Sequence, residues 1–201
     1  MNYYRTTIMK NLSYLLLALV LLTAACESKK SSMDEHQHQA TEPAVASVDT
    51  LKKSIPKEAH GQVGGVHVSM AYHAPGARGR VIWGGLVPFN EVWVTGAHSA
   101  TSITFSKDVE IGGVTVPEGK YALFTIPGKD SWQIIINRNW EQHLADDYSA
   151  AEDVVRVEVV PQIDLPLQER LNYNIEDKGD GKGAITMTWE KLGVTLEFSD
   201  K

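Results

Sequence analysis

The residues able to do chemistry near neutral pH are seven histidines, one cysteine and the carboxylates, and their spacing decides which chemistry is open to them. His36 and His38 stand at i and i+2 in Asp34-Glu35-His36-Gln37-His38, a pattern that binds Cu²⁺ or Zn²⁺ weakly and that equally suits a polar linker. His67 and His73 fall on one face of an alternating segment, but six residues of strand hold them roughly 20 Å apart, too far to share a metal ion. His60, His98 and His143 are scattered along the chain. Asp146-Asp147 with Glu141 reads as a solvated acidic face, and Asp177-Lys178-Gly179-Asp180-Gly181 reads as a turn because it lacks calcium-loop spacing. There is no phosphate-binding glycine loop, no Gly-x-Ser-x-Gly elbow and no His-Glu-x-x-His, so no cofactor is expected.

Cys26 is the only cysteine, which excludes an intrachain disulfide and a multi-cysteine zinc site. Its position points elsewhere. Arg5 and Lys10 precede a nearly unbroken apolar run from Leu12 to Ala25, the form of a secretory signal that is too short for a comfortable membrane span. Small residues directly before the cysteine resemble a bacterial lipobox, with Ala24 and Ala25 in place and Thr23 where Leu is commoner. That resemblance implies that residues 1–25 are removed and that Cys26 becomes the acylated N-terminus, with more lipid than the two signals stable anchoring needs. Residue 27 is Glu, not the Asp that favours inner-membrane retention in enterobacteria, a rule that transfers poorly between phyla; the expected location is the cell envelope, with the outer membrane, on its periplasmic or surface face, favoured over the inner membrane. Residues 26–59 are poor in large apolar side chains and read as a flexible tether, with one helical turn at Leu51–Ile55 stopped by Pro56.

What remains, residues 60–201, is enough for one unstapled core. The whole chain has 201 residues, 43% hydrophobic and 22% charged, with 19 basic against 25 acidic side chains and a net charge of −6. An acidic balance argues against nucleic-acid binding, which needs clustered Lys and Arg.

The elements that must position any site are strands. Val66, Val68, Met70 and Tyr72 alternate with His67, Ser69, Ala71 and His73, and the same period of two runs through Val155–Val159, Leu171–Ile175, Ile185–Trp189 and Val194–Phe198. Gly112-Gly113 between two short apolar runs predicts a hairpin turn. Pro127 to Asp130, Gly179 to Gly183 and Gly193 mark further strand boundaries, and a single short helix is expected at Trp140–Tyr148. The predicted fold is all-β, an antiparallel β-sandwich or flattened barrel of about eight to ten strands.

One segment escapes the alternation. Residues 78–101 concentrate two Trp, two Arg, several Gly and small hydroxyl residues. From "GRVIWGGLVPFNEVWVTGAHSATSITF" through "PEGKYALFTIPG" to "WQIIIN", the chain resembles the Bacteroidetes family called domain of unknown function 2911, over about residues 62–200. The resemblance implies a secreted or lipid-anchored β-rich protein and brings no catalytic residues. Val94 stands where Arg is usual in that pattern, and His98 where Asn is usual. Two readings stay open. In the first, Arg80, Trp83, Trp93, Thr95 and His98 line a non-catalytic site for a small molecule, glycan or protein partner, or else the two Trp simply plug the sandwich. In the second, the chain is an envelope hydrolase or metal-dependent enzyme centred on His98, with Glu91 or a distant carboxylate as partner.

Overall fold

Alternation becomes strand wherever one side of the chain can be buried. The computed structural model describes residues 53–201; the expectations for the signal, for Cys26 and for His36 and His38 lie outside them. The first half forms β1 (Ile55–Val63), β2 (Val66–Ala74), β3 (Ser102–Phe105), β4 (Val109–Ile111), β5 (Val114–Val116) and β6 (Gly119–Ile126). The second half forms β7 (Trp132–Asn137), β8 (Asp153–Val159), β9 (Gln168–Gly179), β10 (Lys182–Glu190) and β11 (Leu192–Asp200). They assemble into two antiparallel sheets, ordered β1-β2-β3-β6-β7-β8 and β5-β4-β11-β10-β9, without closing into a barrel.

Each sheet turns its apolar positions toward the other. Val66, Val68, Met70 and Tyr72 are buried, whereas His67 and Ala71 beside them are exposed. Ile103, Phe105, Leu123, Ile134 and Ile136 continue that face, and Ile185, Met187, Trp189, Leu196 and Phe198 meet it from the second sheet. A one-residue slip in any of these strands would expose its buried set, so the register is well specified. The Gly-Gly hairpin forms as predicted: Ile111 pairs with Val114, with Gly112 and Gly113 at φ 57° and 80°.

Two expectations are corrected. Residues 140–148 are turns, and among the described residues the helical element is a single 3-10 turn at Ala150–Glu152. The backbone of this loop is engaged elsewhere: the Leu144 N–H donates to the His98 carbonyl, the Gln142 carbonyl accepts from Ala100, and Leu144 itself has φ 51°. Gly193 lies inside β11, not at a boundary; the turn is at Lys191. A side chain at 193 would press on Leu165, and the Gly193 main chain bridges to Gln162. The first strand also begins at Ile55, before the composition changes. Among the described residues no helix is long and apolar enough to cross a membrane.

Candidate ligand groove

The outer face of the six-stranded sheet is only partly covered. Over β6 and β7 the crossing loops lay down a second, smaller core of Val94, Ala100, Ala122, Phe124 and Ile135, with Trp140, Ala145 and Tyr148 packed on it. Over β1 and β2 the same face is open. Between the cover and the open strands runs a groove of about 770 Å³. Its floor is low because the register sets small residues side by side: Ala71 pairs with Glu58 on one side and with Ser102 on the other. Pro56, Lys57, Glu58 and His73 form one wall; Ser99, Ala100, Lys120, Trp140, Glu141, Gln142 and His143 form the other.

A polar network holds the second wall in place. Asn137, fully buried at the end of β7, donates to the Ser149 carbonyl and to Asp153, and accepts from the Asn139 N–H. Asp153 in turn accepts from Arg156 at 2.6 Å and from the Tyr148 hydroxyl at 2.9 Å. Burial, then the hydrogen bond and charge of Asp153, push the Tyr148 phenol up to about 12. Gln142 donates to the Asn139 carbonyl at 2.6 Å. Above this frame the Lys120 ammonium lies 3.6 Å from the centre of the Trp140 ring, a cation–π contact that fixes a positive charge at the groove wall.

The five residues singled out from the sequence do not share one surface. Trp83 packs edge to face on Trp93, Trp132 and Trp189 at centroid distances of 5.8, 4.9 and 5.8 Å, and Trp93 stacks on Trp189. The two Trp therefore plug the sandwich. The indole nitrogens of Trp83, Trp132 and Trp189 are buried without an acceptor, and the edge-to-face geometry offsets part of that deficit by setting ring edges against ring faces. Thr95 is fully buried, its hydroxyl hydrogen-bonded to the Trp93 carbonyl and the Thr125 hydroxyl and its carbonyl accepting from Tyr173. Arg80 folds back to donate to the Gly76 and Ala77 carbonyls.

His98 is exposed with φ 64°, and its ring meets His73, which lines the groove, edge to face at 5.1 Å. Among the described residues no carboxylate hydrogen-bonds to His98, and no group of three or more His, Cys, Asp or Glu side chains gathers as for a metal ion. The groove residues missed at the sequence level, above all Lys120 and Trp140, come from strands and loops far apart in the chain; the one local signal was Ala71 on the wet face of β2, a small residue among larger polar ones.

The fold and the groove define an open two-sheet β-sandwich with a ligand-sized cleft on one outer face. Residues 54–198 match the family described as Protein of unknown function (DUF2911), and the chain belongs to that family. No curated protein and no solved structure matches it.

Proposed function

We propose that the chain is a lipid-anchored binding module of the cell envelope, without catalytic function, whose ligand site is the groove between β1–β2 and the Trp140 loop. The observation that carries this reading is the groove itself. About 770 Å³ matches the size of small-ligand sites, and an aromatic ring, two carboxylates, the Lys120 ammonium and two imidazoles converge on it, while the Lys57 ammonium is bound to Asn172 on the other face of β1. Such a lining suits a small polar molecule, or a few units of a glycan or peptide, that presents both hydrogen-bonding groups and a flat face. The second reading, an enzyme centred on His98, draws no support from the geometry, since a general base needs an orienting partner and His98 has only another imidazole.

Two measurements test the proposal. Mass spectrometry of the protein purified from its own host reads the state of Cys26, where acylation is expected and an unmodified thiol contradicts the anchor. Amide and indole NMR spectra, recorded against saccharides, peptidoglycan fragments and short peptides, read the groove. Shifts at Ala71–His73, Ser99–Ser102 and Trp140–His143 are expected for at least one probe. Shifts confined to other surfaces contradict the site.

A further inference from the structure

The large apolar side chains that the sandwich leaves exposed are not spread evenly. Val114 and Leu144, at 42 and 40%, lie elsewhere, on β5 and on the loop after β7, whereas five cluster: Val81, Val160, Ile163 and Leu167 are 74, 78, 65 and 60% exposed, and Leu86 is 47% exposed. All five sit on two loops at one end of the sandwich. The pairing fixes this placement. Ile55 opposes Ala74, so β1 starts where β2 ends, and the next residues of that loop bridge Gly76 to Arg170 and Ala77 to Glu169 at the start of β9. The loop carrying Val160, Ile163 and Leu167 is tied to the same end by the Gln162–Gly193 bridge and by the Leu165 N–H donating to the Lys191 carbonyl. The opposite end is polar, its turns closed by Asp200, which accepts from Gly65 and donates to Gly181.

The chain enters the domain at the apolar end. The Lys53 carbonyl accepts from Arg170 at 3.0 Å, beside the Gly76 bridge. From Cys26 to Lys53, covalent geometry allows a reach of at most about 95 Å, so a lipid on Cys26 would confine this end to the neighbourhood of the bilayer at high effective concentration. Exposed aliphatic side chains carried on two loops, three on one and two on the other, suit shallow entry into the headgroup region. Lys53, Arg78, Arg80, Lys129, Arg170 and Lys191 share the end with Glu91, Asp130, Asp164, Glu169 and Glu190, so the charges nearly balance and attraction to anionic lipid is not the driving force.

We propose that this end of the sandwich is a membrane-docking face, on which Val81, Val160, Ile163 and Leu167 enter the interfacial layer of the bilayer that holds Cys26. The inference rests on the reading of Cys26 as the anchor, and the experiment separates the two. The chain from Cys26 onward is coupled through its thiol to a maleimide lipid in phosphatidylcholine vesicles, which imposes the anchor whatever its natural state. Amide hydrogen exchange is then compared with that of the thiol-capped chain in solution. Exchange in residues 79–87 and 160–168 is expected to slow several-fold, equally at low and high salt, with 176–182 unchanged. The triple substitution Val160→Ser, Ile163→Ser, Leu167→Ser is expected to restore the solution rates at 160–168. Unchanged exchange on vesicles overturns the docking face, as does loss of protection in high salt. Equal protection without vesicles at raised protein concentration also overturns it, by assigning the face to a second copy of the chain. An unmodified Cys26 in host-purified protein overturns the anchor alone.

Discussion

His73 and His98, on β2 and on the long crossing loop, meet edge to face with ring centroids 5.1 Å apart, at the rim of the groove. Partial burial first, and the neighbouring His98 second, lower the His73 pKa below the ordinary histidine value. In the interval between that lowered value and about 6.5 the unfolded chain holds more protons on this residue than the folded one, so stability rises with pH there. The contribution is complete above the interval and is lost as pH falls through it. Glu58 faces the same groove, and His143 is paired with Asp146. Thermal unfolding followed from about pH 8 to about pH 5 should show a smaller decline for His73→Gln than for the natural chain. Equal declines would assign the pH response to other groups.

The tryptophans separate by role. Trp132 is 1% exposed at the centre of the aromatic cluster, and Trp132→Ala should cost about 3–5 kcal/mol in denaturant unfolding. Trp93→Ala, at the cluster's edge, should cost about 2–4 kcal/mol. Trp140→Ala removes a half-buried ring from the groove wall and should cost less than either, while weakening ligand binding. A Trp93→Ala variant as stable as the natural chain would return that residue to the candidate binding surface.

Asp153 holds the Trp140 loop against β7 and β8 through Asn137, Tyr148 and Arg156. Its side chain is only 10% exposed, so Asp153→Ala should cost about 2–4 kcal/mol by orphaning several donors at once. The same change should bring the Tyr148 phenol down from about 12, since the carboxylate contributes to that rise. Ultraviolet titration of tyrosinate reads the shift, and hydrogen exchange in residues 138–149 reads the loosened loop.

Two glycines are required for different reasons. At Gly183 a Cβ would sit 2.6 Å from the Phe198 ring and 2.7 Å from Val63, inside the core, and Gly183→Ala should cost about 1–3 kcal/mol. At Gly113 a Cβ would meet nothing within 4 Å, but φ is 80°, so Gly113→Ala should cost about 1 kcal/mol through the backbone alone. Melting temperatures of the two variants test the order.

Much of the fold was legible because half-buried strands announce themselves by alternation, as at Val66–Tyr72 and Ile185–Trp189. β1 was not. It begins Ile-Pro-Lys-Glu-Ala-His-Gly, and its partly buried positions carry Lys57, Ala59 and Gly61 where large apolar residues would signal a strand. Gly61 is small because Ile175 of β9 packs on it, a contact between sheets that local sequence does not display. The groove was illegible for a similar reason. Ala71, Ser102, Lys120 and Trp140 become neighbours only through strand order. Residues 78–101 drew attention by composition, yet their Trp and Thr side chains serve the core and its cover.

The central claim is that the groove over Ala71 is where this protein binds its ligand. Ala71 is exposed on the groove floor, so Ala71→Trp fills the cleft without entering the core. Native mass spectrometry of the protein, after exposure to an extract of its host's envelope, reads bound small molecules directly. The natural chain and a Val160→Ser control should carry the same added mass and Ala71→Trp should carry none; equal adducts on all three, or no adduct on the natural chain, would contradict the account.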